Sequence, residues 1–177
     1  GLVGYNFGRF NYLSSALIQD SRASGAVTAS ASVSSDCSIA HCEYVNAGGL
    51  VGFNQGFIAG TVTPSGITTL STGTGTYALG AVSVGARGVG GGLAGQNDGI
   101  IGMTLAKGAV TGAAGTVGSG HDHDRQTTLG GLVGFNHGLI GLSTATGDVG
   151  TVNVPHLQAG GLVGSNHGAI VTSHATG

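Results

Sequence analysis

The sequence predicts an all-β chain wound as a parallel β-helix (β-solenoid), and three observations carry that prediction. Nearly the same words recur as "AGGLVGFNQG" (47–56), "LGGLVGFNHG" (129–138) and "AGGLVGSNHG" (159–168), with looser copies at "GLVGYNFG" (1–8) and "GGLAGQNDG" (91–99). Within the copies, constant positions alternate with drifting ones, the two-residue period of an extended chain with one face constrained. Glycine fills 38 of 177 positions. At ~1 kcal/mol for each interior helical position, that content disfavours a helical repeat.

Composition narrows the class further. The glycines lack the every-third-residue spacing of collagen, and a chain that is 40% apolar and 7% charged is unlike a disordered one. It can bury a core, built from small side chains. The net charge is −2, and Arg9, Arg22, Arg87, Lys107 and Arg125 are scattered, so no nucleic-acid partner is expected. No apolar run is long enough for a transmembrane helix, so no membrane insertion is expected of this segment. Both termini fall inside repeat copies, as expected of a piece of a longer array.

Taking the glycine that opens each copy as position zero (Gly1, Gly49, Gly92, Gly131, Gly161) aligns the units as 1–48, 49–91, 92–130, 131–160 and an incomplete 161–177. Leucine follows at step one in every unit and glycine at steps three and seven, while isoleucine stands at step nine in the last four units. The first unit reaches its equivalent, Ile18, after an eight-residue insertion. Asn6, Asn54, Asn97, Asn136 and Asn166 share step five, which predicts an amide ladder between coils stacked ~4.8 Å apart. The glycines supply left-handed backbone or close approach at the corners. Valine at step two lies on the drifting face, as if covered by a loop.

The second half of each unit repeats as well, as in "IQDSRASGAV" (18–27), "IGMTLAKGAV" (101–110) and "IGLSTATGDV" (140–149). A hydroxyl column reads Ser21, Thr61, Thr104, Ser143 and Ser173, and an apolar column Val27, Ile67, Val110 and Val149. Tails of very different length follow. The expected architecture is therefore about five coils of roughly three short strands, with variable loops at one corner. Five rungs make a rod roughly 24 Å long.

These columns resemble the GLUG motif, whose pattern runs GGLVGxNxGxIxxSxATGxVxG. "GGLVGFNHGLIGLSTATGDVG" (130–150) follows it almost throughout, and "GGLVGSNHGAIVTSHATG" follows it to the end of the chain. The family occurs in large secreted bacterial surface proteins, including filamentous-haemagglutinin-like adhesins, and beside some secreted peptidase domains. The resemblance implies an extracellular stalk or adhesin segment with no active site in the repeats.

Candidate sites lie mostly outside the constant columns. Cys37 and Cys42, in "CSIAHC", have the spacing of a small loop disulfide in a secreted chain, or else stand as reduced thiols. His121 and His123, in "HDHDR", are either metal ligands or part of a solvated loop. His137 and His167 share step six in adjacent coils, as a surface pair or as a metal-binding or acid-sensitive one. Tyr5, Phe53 and Phe135 share step four, an aromatic stripe for stacking sugars or for packing under a loop. No cofactor is implied. The seven acids put no two in one repeat column, so the clustered carboxylates of polysaccharide-cleaving β-helices are missing. The expected function is non-enzymatic: a secreted adhesin shaft that meets a polysaccharide, a host or neighbouring-cell surface, or copies of itself in a fibre. An ice-binding or carbohydrate-active β-helix fits the columns less well.

Overall fold

The computed structural model describes residues 1–8, 16–30, 45–61, 75–114, 126–150 and 156–177. Among them there is no helix and every strand pairing is parallel, with equivalent columns of successive units in register. The chain is a parallel β-helix.

A full turn runs through five short strands, where the sequence pattern suggests about three. The asparagine sheet stacks Val3–Asn6, Val51–Asn54, Ala94–Asn97, Val133–Asn136 and Val163–Asn166. The isoleucine sheet follows with Leu17–Gln19, Phe57–Ala59, Ile100–Gly102, Leu139–Gly141 and Ala169–Val171. Next comes the alanine sheet, made of Arg22–Ala23, Thr76–Ala78, Thr104–Ala106, Thr144–Ala145 and His174–Ala175. The valine sheet holds Val27–Ala29, Val82–Val84 and Val110–Gly112, extended by a single bridge from Val110 to Val149. An entry sheet of Asn46–Gly48, Val89–Gly91, Thr127–Gly130 and Leu157–Gly160 leads each coil into the next Gly–Leu corner.

The two additional strands have separate causes. The entry strands are the last residues of the variable tails, whose sequences share little beyond a final glycine. In four of the five units the isoleucine and alanine strands are one segment in sequence, split by a left-handed residue at Asp20, Met103, Leu142 or Thr172, with φ between 46° and 55°. Left-handed backbone usually calls for glycine or asparagine, so these side chains give no punctuation to read. Among the described glycines, only Gly75 and Gly150 have positive φ, and neither belongs to a constant column.

The column glycines serve close approach instead. A Cβ on Gly99 would lie 2.1 Å from the carbonyl oxygen of Gly56, and one on Gly138 would lie 2.0 Å from that of Gly99. In the first coil the residue in this stack is Ala16, below Gly56, and not Gly8: the Phe57 amide bonds to the Ala16 carbonyl. Step seven is therefore one of the places where successive coils leave no room for a Cβ, as step zero also is at Gly92 and Gly131.

Leucine and valine at steps one and two both face inward. At each corner one leucine carbonyl accepts two consecutive N–H groups, as Leu50 does from Leu2 (2.8 Å) and Val3 (2.9 Å), and Leu93, Leu132 and Leu162 do likewise. This doubled bond advances the chain by a residue and turns both side chains into the core, so the valine needs no covering loop. Leu50, Val51, Ile58, Ala78 and their equivalents above form one buried cluster. Val82, Val84, Val110, Leu129 and Ala47 form a second, between the valine and entry sheets.

The second unit's columns also differ from the sequence alignment. Thr76, not Thr61, pairs with Thr104, and Val82 takes the column assigned to Ile67, which lies outside the described residues. The added residues of this unit, 62–74, fall between its isoleucine and alanine strands. In the first unit 9–15 separate the asparagine and isoleucine strands, whereas 31–44, 115–125 and 151–155 separate valine-sheet and entry positions. Variable segments thus interrupt the coil at three places and not at one corner.

Candidate binding face

Inside the coil, the five asparagines form an unbroken chain of hydrogen bonds. Asn6 Nδ2 donates to Asn54 Oδ1 at 2.7 Å, Asn54 to Asn97 at 2.7 Å, Asn97 to Asn136 at 2.8 Å and Asn136 to Asn166 at 2.8 Å. Each amide also serves its own turn: Asn97 Nδ2 donates to the Gly99 carbonyl while the Gly99 amide donates to Asn97 Oδ1. All bonds run the same way, so the amide dipoles add along the rod. A parallel hydroxyl column runs beside the alanine sheet. Thr104 N–H and Oγ1 donate to Ser143 Oγ, whose hydroxyl bonds back to Gly141 O, and Ser143 N–H donates to Ser173 Oγ.

The outer surface of the asparagine sheet carries the residues of steps four and six. Their strands are in register, with Tyr5 opposite Phe53, Phe53 opposite Gln96, Gln96 opposite Phe135, and Phe135 opposite Ser165. Tyr5 and Phe53 stack with centroids 5.1 Å apart and planes 2° apart, and Tyr5 Oη donates to Gln55 at 2.7 Å. Gln96 interrupts the aromatic stripe, accepting from Asn46 Nδ2 and donating to Asp98. Phe135 lies 4.5 Å from the His137 ring and 5.1 Å from that of His167. The paired faces of Tyr5 and Phe53 are turned to each other, so stacking on a sugar is left to edges and to the outer face of Tyr5.

Step six forms the second outer column. The amides of Gln55, Asp98, His137 and His167 each bond to the asparagine carbonyl of the preceding coil, which fixes the spacing of their side chains. Asp98 Oδ1 lies 3.2 Å from His137 Nδ1, and the rings of His137 and His167 meet edge to face at 5.4 Å. The sequence marked the two histidines but not Asp98, whose part in the cluster follows only from stacking of a drifting column.

A further outer column is apolar. Leu17, Phe57, Ile100, Leu139 and Ala169 stand in register on the isoleucine sheet, with Leu17 56% and Leu139 38% exposed. Each is the residue just before the constant isoleucine, and a column of apolar character at every unit was the available signal. At the first coil, a groove of about 190 Å³ is lined by Val3, Val27, Ala29, Asn46 and Gly52. Asn46 Oδ1 is buried there without a hydrogen-bond partner.

Cys37, Cys42, His121 and His123 lie outside the described residues. No described helix is long and apolar enough to cross a membrane. No protein-family model, curated protein or solved structure matches the chain.

Proposed function

We propose that the chain is a structural and adhesive shaft segment of a large secreted bacterial surface protein. The observation that carries this reading is the pairing of side chains between coils on both sides of the wall. Inside, the asparagine and hydroxyl columns bond coil to coil. Outside, Tyr5, Phe53, Phe135, His137 and His167 meet the neighbouring coil's side chains as well. Such a wall resists bending and shear along its axis, which is the demand on a stalk. The GLUG-like columns support the same reading, and the variable segments are where a polysaccharide or a cell surface would be met.

A second reading has a specific observation behind it. Coils pair through the same parallel register throughout, Asn54 with Asn97 and Asn97 with Asn136, so the pairing that joins coils within one chain would equally join coils of two copies. Sedimentation and electron microscopy across a concentration series separate the two readings. Monomers of 17.0 kDa at all concentrations support the shaft, whereas filaments growing with concentration, with a ~4.8 Å axial repeat, make it a fibre subunit. For the shaft, a glycan array and cell-binding assay then show which segment adheres.

A further inference from the structure

We propose that His137 and His167 together bind a borderline divalent transition metal such as Zn²⁺, Ni²⁺ or Cu²⁺, with Asp98 holding His137 in the ligating tautomer. Imidazole is the side chain that suits these ions. Two imidazoles sharing one tetrahedral ion at ~2.1 Å have ring centroids roughly 5 Å apart, and the two rings stand 5.4 Å apart.

Three neighbours prepare the site. The backbone amides of His137 and His167 are tied to Asn97 and Asn136, so the two side chains leave the wall one rung apart before any metal arrives. Phe135 packs against both rings, at 4.5 and 5.1 Å, and restricts their rotamers. Asp98 Oδ1 is 3.2 Å from His137 Nδ1. A carboxylate there draws the ring proton to Nδ1 and leaves Nε2 with a free lone pair, the arrangement that supports most metal-bound histidines. Among the described residues, no three His, Cys, Asp or Glu side chains converge as a metal-binding group. The described residues therefore supply two ligands, and water completes the shell. The ion would clip two adjacent coils together.

The test is Zn²⁺ titration of the full chain by calorimetry, with thermal melts in parallel. The expected result is one Zn²⁺ per chain at the His137/His167 site and a rise in melting temperature on its addition. Both are lost at that site in His137→Ala and in His167→Ala, which replace surface side chains and keep the β-sheet circular dichroism. Asp98→Asn weakens the affinity 10- to 100-fold. It also shifts the ring-nitrogen NMR signals of metal-free His137 away from the Nδ1–H form, a change that lost packing alone would not cause. The His121→Ala/His123→Ala double variant keeps the site. Zn²⁺ affinity unchanged in either single alanine variant, or binding abolished by the His121/His123 change alone, overturns the proposal.

Discussion

Asn97 is fully buried and holds a neighbouring amide on each side, so its replacement tests the ladder at its most exacting point. Asn97→Ala leaves Asn54 Nδ2 and Asn136 Oδ1 facing a methyl group. At ~1–3 kcal/mol for each buried group left unpaired, the expected loss is roughly 2–6 kcal/mol in urea denaturation. Asn97→Asp keeps an acceptor for Asn54 but sets a carboxylate against the carbonyl oxygen of Asn136, and is expected to be at least as damaging. Asn166, exposed in the last coil, accepts one ladder bond and should cost about 1 kcal/mol when changed to alanine. Equal losses at Asn97 and Asn166 would mean that the ladder stabilises the rod no more than its exposed end does. This ladder was legible in the sequence because five identical residues occupy one column. The Asp98–His137 contact was not, because stacking joins unlike residues as readily as like ones, and a drifting column does not announce which of its members will touch.

Among single elements, the turn after each asparagine strand is one that admits no side chain between coils. A Cβ on Gly99 would lie 2.1 Å from the Gly56 carbonyl oxygen and 2.9 Å from Gln55 C, both backbone atoms that cannot swing away. Gly99→Ala must push two coils apart and should cost ~3 kcal/mol or more. Gly102, three residues on, is the control: its added Cβ would meet only the Gly141 carbonyl oxygen at 3.9 Å. Gly102→Ala should stay within about 0.5 kcal/mol of the parent. If thermal melts rank the two variants alike, the constancy of step-seven glycine needs another cause than coil spacing. The sequence showed these glycines as a column but assigned them partly to left-handed backbone. That role falls to Asp20, Met103, Leu142 and Thr172, none of which breaks a pattern. Corners without glycine leave no mark, so the pattern shows about three strands where the coil has five. Likewise the sequence columns set Thr61 where Thr76 stands, since an insertion inside a unit shifts every later column without marking itself.

For the whole molecule, each coil touches mainly the one before and the one after, so stability should be close to a sum over neighbouring pairs. Register, and not the identity of a particular unit, is then what folding requires. Deleting residues 92–130 is a direct test, because it joins Gly91 to Gly131 and restores "GGLVG" at the junction. Asn54 then meets Asn136, Ile58 meets Ile140, Ala78 meets Ala145 and Val82 meets Val149, each pair already matched in kind through the deleted coil. Val89–Gly91 becomes the entry strand beneath Leu157–Gly160. The shortened chain is expected to keep its β-sheet circular dichroism and a single cooperative urea transition. Its denaturant dependence should be about one fifth smaller, in proportion to the surface removed. Extending the deletion to 92–133 takes away Leu132 and Val133 as well, and with them the doubled hydrogen bond that turns both side chains inward. That chain has lost only three more residues, yet one coil lacks its corner and two core side chains, and its transition should become broad or disappear. If both deletions unfold alike, the units depend on more than their neighbours, and a rod of independent rungs is the wrong physical picture of this protein.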